Sequence, residues 1–120
     1  MNFKEIKFGE DKPFAHMFFF QLSDTSKELV QDFITLCVEY LSHHPGQEHF
    51  SVGWRAVEIS RNVSATNFDV SIHMIFTNIK AYEDYSKSDR HDDFITHSAG
   101  MSPSRVVFDS FLNVSVVPEK

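Results

Sequence analysis

The chain has 120 residues, of which 42% are apolar and 23% are charged, and its formal net charge is −6. This length fits one domain with a single hydrophobic core. Nucleic acids and anionic membranes attract clustered Lys and Arg, so the acidic balance predicts that neither is a partner. The 13 Phe residues are an unusual number, and they can fill a small core or line an apolar cavity with few side chains.

The single cysteine, Cys37, excludes an intrachain disulfide, and we expect it to be a small buried hydrophobe. The first residues lack the basic-then-apolar pattern of a secretory signal, and the apolar runs are too short for a membrane span. We therefore expect a cytoplasmic protein. Residues 1–13 are mostly polar and are predicted to form an N-terminal arm that ends at Pro13. The predicted domain covers residues 14–117.

The first half of the chain predicts three elements. Residues 14–22 predict a strand with apolar side chains on both of its faces, which is typical of a central strand covered on two sides. A helix follows over residues 25–42, with capping side chains in residues 23–25 and apolar residues at spacings of three and four. After a Pro-Gly stop, residues 48–59 predict a second strand.

The second half begins with the clearest alternation in the sequence, over residues 68–76, which predicts a strand with one apolar and one semi-polar face. Thr77-Asn78 can cap a second helix that starts at Ile79 and continues to Ser98, with a break near Ser88-Asp89. Residues 105–116 predict the last strand.

This order of elements indicates an α+β protein of the ferredoxin-like βαββαβ class, with a four-stranded antiparallel sheet. Right-handed crossovers place both helical segments on one face of that sheet. The first strand is apolar on its other face as well, and a monomer rarely leaves such a surface open. We therefore predict a homodimer in which two sheets pack face to face, a dimeric α/β barrel.

Short motifs lie at characteristic places in these elements. A His opens the aromatic first strand, the third strand runs into a Phe, a Tyr precedes a His by six positions, and Asp-Ser-Phe lies in the closing strand. In order, they are His16, Phe76, Tyr85, His91 with Phe94 beyond it, and Asp109-Ser110-Phe111. Their order and spacing over residues 14–113 resemble the stress-responsive A/B barrel domain family.

The resemblance implies a homodimer, and for most members of the family it implies no defined activity. A few similar plant enzymes cyclise a linear polyketide, with a Tyr and a later His performing an aldol condensation in an apolar cavity. By position, these residues correspond to Tyr85 and His91, and the first-strand His corresponds to His16. The sequence departs from the cyclases at Val70, where they carry a further His, and at residues 88–90, where the family often has His-Pro.

The residues themselves allow two interpretations of this candidate catalytic set. His16 lies among Phe residues, where it is either a neutral base or donor in a pocket, or a core His satisfied by its neighbours. Tyr85 and His91 are six apart, which is a poor spacing for contact on one straight helix, but a break can bring them together. The predicted ligand-binding side chains are Phe18, Phe20, Val70, Ile72 and Phe94.

The remaining His-rich stretch, His43, His44 and His49 with Glu48, predicts a helix end rather than a metal site, since adjacent side chains on a helix point apart. We therefore predict no metal. The sequence also lacks a Gly-rich phosphate loop, paired cysteines and a nucleophile elbow. No cofactor is predicted, and neither haem nor flavin is indicated.

Three hypotheses about function follow. The first is a homodimer with a Phe-lined pocket that binds, and as an enzyme deprotonates, a small apolar or aromatic carbonyl compound in the manner of a polyketide cyclase. His91 would act as the base and Tyr85 as the orienting donor. The second is a non-catalytic domain with a role in stress protection or assembly. The third is a dimeric barrel that oxidises aromatic substrates as a cofactor-independent monooxygenase.

Overall fold

The structure, a computed structural model, describes residue 9 and residues 11–113, and this part of the chain forms four strands and three helices. In chain order they are β1 (Phe14–Gln21), α1 (Lys27–Leu41), β2 (Gln47–Trp54), β3 (Val70–Phe76), α2 (Ile79–Ser86), α3 (Asp89–His97) and β4 (Ser104–Phe111).

The strands form one antiparallel sheet in the order β2-β3-β1-β4. This order confirms the predicted ferredoxin-like fold, because the two β-α-β units interleave and place β1 and β3 at the centre. α1 packs against β2 and α3, while α2 packs against β1 and β3.

The core lies between the sheet and the helices. The even positions of β1 and β3 face it, and their pairing is in register, with Phe14 opposite Phe76 and Phe20 opposite Val70. Phe33 and Cys37 of α1 are fully buried against this layer, so the expectation for the lone cysteine is confirmed. Burial raises the pKa of the Cys37 thiol to about 12, which keeps it protonated and unreactive.

The opposite, outer face of the sheet also carries large apolar side chains. Phe19 of β1 packs edge-on against Phe108 of β4, with ring centroids 5.7 Å apart. Phe108 is 54% exposed, and Val106 beside it is exposed as well. Ser71 and His73 add a polar strip on β3. The prediction that β1 is apolar on both faces is thus confirmed.

Several predicted boundaries are wrong. The second strand ends at Trp54 rather than residue 59, because the chain turns at Ala56, whose carbonyl accepts from the Ile59 amide at 3.1 Å. β3 begins at Val70 rather than residue 68. The last strand ends at Phe111, and residues 114–116 of the prediction lie outside the described part of the chain.

Helix starts and breaks follow the capping residues. α1 is capped by Ser26, one residue beyond the predicted segment, while Asn78 caps α2 by accepting from the Ala81 amide at 2.9 Å, as predicted. The predicted break is confirmed, because α2 ends at Ser86 and Ser88 caps α3 by accepting from the His91 amide at 3.2 Å.

Gly46 packs directly against the start of α2, although it is far from that helix in sequence. Its φ of +77° is a conformation that favours glycine, and a Cβ there would lie 2.6 Å from the Ala81 side chain. Its carbonyl accepts from the Thr77 amide at 2.8 Å. This close contact holds α2, which bears two tyrosines, against the end of the sheet.

The predicted N-terminal arm, residues 1–13, falls mainly outside the described residues. Among the helices that the structure describes, none has the length and apolar character needed to cross a membrane.

Candidate ligand-binding site

A cavity of about 220 Å³ opens between β1, β4 and the α2–α3 corner. It brings the three predicted catalytic residues together among aromatic and aliphatic side chains. The lining comprises His16, Phe18, Phe20, Leu41, Tyr82, Tyr85, Ser86, His91, Phe94, Ile95, Arg105 and Val107. Its size is below the range usual for drug-sized ligands, so it suits a small molecule.

His16 enters this cavity from the inner face of β1 and is 8% exposed. The register of β1 with β4 places it opposite Asp109. His16 Nδ1 lies 2.5 Å from Asp109 Oδ1, a short hydrogen bond in which the imidazole donates to the carboxylate. The bond fixes the ring, so that in a neutral imidazole Nε2 is left as the acceptor. The sequence predictions named Asp109 as part of a strand motif but did not assign it to the site.

Two tyrosines of α2 cover His16. The Tyr82 ring centroid is 4.7 Å from that of His16, and the Tyr85 centroid is 6.2 Å away. Tyr85 is 2% exposed, and burial raises the pKa of its phenol far above the ordinary value. The Tyr85 hydroxyl therefore keeps its proton at all physiological pH values and can act as a hydrogen-bond donor.

His91 meets Tyr85 across the helix break. The two ring centroids are 5.1 Å apart at an edge-on angle of 78°, so the turn at Ser88 brings together residues that one straight helix would separate. His91 Nδ1 is buried and has no hydrogen-bond partner within the described residues. Burial lowers the pKa of His91, which leaves the imidazole neutral near pH 7 and able to accept a proton.

His44 is a second residue that the sequence did not assign to this site. Its ring packs edge-on against Tyr85 with centroids 4.8 Å apart, and its Nε2 donates to the Tyr40 carbonyl at 2.8 Å. Burial lowers the pKa of His44 as well. A hydrogen-bonded, neutral imidazole on this side holds the Tyr85 ring in place from behind.

The predicted ligand-binding residues divide into two groups. Phe18, Phe20 and Phe94 line the cavity. Val70 and Ile72 are fully buried in the core and are not among its lining residues, because β3 lies one strand further from the cavity than β4 does.

Two larger and more open hollows, of about 500 and 610 Å³, lie elsewhere on the surface. One includes His43, Glu48 and His49, and the other lies beside Trp54. Neither brings together the buried polar groups found at His16 and His91. Within residues 9 and 11–113, no three His, Cys, Asp or Glu side chains are grouped as metal ligands.

Comparison with known families gives a match over almost all of this domain. The sequence model described as Stress responsive A/B Barrel Domain matches residues 14–112. No curated protein matches the chain by sequence.

Solved structures with the same fold include a dimeric ferredoxin-like protein of unknown function from Thermobifida fusca. It is 18% identical with a TM-score of 0.70, over 88% of this chain and 95% of that one. A Dabb family protein from Mesorhizobium loti is 21% identical with a TM-score of 0.68, over 91% and 99%. The hydroxynitrile lyase of Passiflora edulis is 13% identical with a TM-score of 0.70, over 89% and 99%. At these identities the likeness shows the fold.

The buried histidines predict a loss of stability in mild acid. Burial lowers the pKa of His44 and His91 below about 6.5, so the unfolded chain takes up protons first as the pH falls. The free energy of unfolding should therefore decrease from pH 7.5 to 5.5. Urea denaturation at one protein concentration measures it. We expect the free energy of unfolding to decrease less in His44→Gln than in the wild type. In His97→Gln, which changes an exposed residue, it should decrease as much as in the wild type. Equal decreases in all three proteins would contradict this assignment.

Proposed function

The chain belongs to the stress-responsive A/B barrel domain family, and on this premise we propose a homodimeric protein that binds a small apolar or aromatic carbonyl compound at His16, Tyr85 and His91. The supporting observation is that the buried Nδ1 of His91, in a ring that lines an apolar cavity, has no hydrogen-bond partner among residues 9 and 11–113. A buried polar atom without a partner costs about 1–3 kcal/mol. A polar group on a bound ligand, or a rearrangement that ligand entry causes, can remove that cost.

The side chains suit proton transfer at the carbon next to the carbonyl. The Tyr85 hydroxyl donates a hydrogen bond to the carbonyl oxygen, and neutral His91 takes the proton from the adjacent carbon. The C–H bond breaks, an N–H bond forms, and the resulting enolate oxygen is stabilised by Tyr85. An enolate of this kind is also what an aldol condensation in a polyketide cyclase requires. His16, held by Asp109, presents Nε2 as an acceptor for a donor group of the ligand.

Replacing the His91 imidazole by a ring without nitrogen should distinguish its packing role from its role as a base. Acetophenone is a suitable probe, because its methyl protons lie next to the carbonyl. We expect His91→Phe to weaken acetophenone binding about fivefold to tenfold. We also expect it to abolish exchange of the methyl protons with D₂O. Calorimetric titration and proton NMR measure the two effects.

His97→Phe provides the matched control, since His97 is exposed on the same helix and stacks on Tyr40 through a ring face that Phe preserves. It should behave as the natural protein does. If wild-type protein fails to bind acetophenone, the proposed function is wrong. If His91→Phe binds and exchanges as well as the wild type, His91 is not the base. Binding without any exchange in the wild type would favour the non-catalytic alternative.

The homodimer in this proposal is supported by the outer face of the sheet. Phe19, Val106 and Phe108 form an apolar surface on two adjacent strands, which a second copy can cover. The Thermobifida fusca protein of the same fold is described as dimeric. Face-to-face packing would also bury the polar strip of Ser71 and His73 between two sheets.

A charge placed on this surface should dissociate the dimer. We expect wild-type protein to sediment as a dimer at micromolar concentration and Phe108→Glu to sediment as a monomer, because a carboxylate cannot be buried without a partner. Val63→Glu, on an exposed loop residue, should leave the dimer intact. A wild-type monomer at this concentration would refute the dimer, and an intact Phe108→Glu dimer would place the interface elsewhere.

A further inference from the structure

The two ends of the cavity differ in their chemistry. β4 contributes every second residue to the cavity side, with Asp109 opposite His16, Val107 opposite Phe18, and Arg105 opposite Phe20. Arg105 and Asp109 are four positions apart, which corresponds to about 13 Å along an antiparallel strand. The hydrogen-bonded pair of His16 and Asp109 therefore lies at one end, and the Arg105 guanidinium belongs to the other.

Arg105 brings a permanent positive charge to a lining whose other members are apolar, hydroxyl or imidazole side chains. It is exposed, and in the part of the chain that the structure describes it forms no salt bridge. By contrast, the Arg90 guanidinium donates to the Glu39 carbonyl at 2.5 Å. The positive charge of Arg105 is also close enough to contribute to the lowered pKa of His91.

We propose that the cavity selects a carbonyl compound that also bears a carboxylate, with the carboxylate bound by Arg105 and the carbonyl placed at Tyr85 and His91. The inference rests on the proposed function and specifies the substrate class. A guanidinium presents paired N–H donors that match the two oxygens of a carboxylate, and a rim position leaves the ligand's apolar body inside. The protein carries a net charge of −6, and the positive charge of Arg105 at an apolar opening favours anionic ligands at this place on its surface.

The size of the cavity limits the rest of the ligand. A volume of about 220 Å³ corresponds to roughly seven water molecules. One aromatic ring with a short acid-bearing chain fills such a space, with the ring against Phe18, Phe20 and Phe94. β-Benzoylpropionate has this composition: an aryl ketone, two methylene groups and a terminal carboxylate.

A charged residue on an edge strand has a simpler role, since it discourages pairing with other sheets. That role predicts that ligand affinity does not depend on Arg105. The comparison of an acid with its neutral amide therefore distinguishes the two, because β-benzoylpropionate and β-benzoylpropionamide share shape and ketone but differ in charge.

We expect the wild-type protein to bind β-benzoylpropionate roughly tenfold more tightly than the amide, and we expect added salt to reduce this preference. Arg105→Met should abolish the preference by lowering the affinity for the acid to that for the amide. Arg105→Lys should retain part of it. Arg61→Met, which removes an exposed arginine from a loop, is the matched control and should retain all of it. Calorimetric titration at two salt concentrations measures these affinities.

Equal affinity of wild-type protein for the acid and the amide would overturn this inference, as would a preference that survives in Arg105→Met. In either case, continued binding of acetophenone shows that the proposed function stands without the carboxylate. Failure of acetophenone, acid and amide alike to bind would overturn the proposed function and the carboxylate specificity with it.

Discussion

β1 lies between β3 and β4 in the sheet. Its inner face must be shielded from water because it carries Phe14, Phe18 and Phe20. Covering it requires all three helices, and the cover brings His16 into an apolar layer. Burying an imidazole nitrogen without a hydrogen-bond partner costs free energy. The register of β4 supplies one in Asp109, so the same pairing that completes the sheet also fixes the orientation of the first site residue.

The segment that follows β3 and covers β1 is divided into two helices, α2 and α3, and the geometry of the site depends on this break. α2 ends at Ser86. The Ser88 hydroxyl donates to the Tyr85 carbonyl and caps α3, and the resulting corner turns His91 back towards Tyr85. Phe94, one turn further along α3, packs against Phe20 and Phe33 and anchors the second piece. A break specified by one capping serine thus converts a six-residue separation into a ring contact beside the cavity.

Local pattern was sufficient for the parts of the fold that depend on neighbours in sequence. The alternation in β1 and β3, the apolar stripe of α1 and the break at Ser88 were all predicted from it. The end of β2 was not predicted correctly. Apolar residues continue past Trp54, and only the turn at Ala56 shows that the pairing of β2 with β3 has stopped.

The site was predictable to the extent that it follows from family resemblance and strand parity. His16, Tyr85 and His91 do surround one cavity. The partnership of His16 with Asp109 joins residues 93 positions apart and depends on the exact strand register, which no local pattern contains. The contact of His44 with Tyr85 depends in the same way on how the end of α1 meets α2.

In the proposed site, a bound ligand acts on the Nδ1 of His91, which has no hydrogen-bond partner in the part of the chain that the structure describes. Long-range ¹H–¹⁵N NMR of the histidine rings, recorded with and without saturating acetophenone, tests it directly. The Nδ1 signal of His91 should move as the nitrogen gains a hydrogen bond, while the Nε2 signal of His44, already bonded to the Tyr40 carbonyl, should stay in place. Saturation that leaves the His91 nitrogens unmoved would contradict the account.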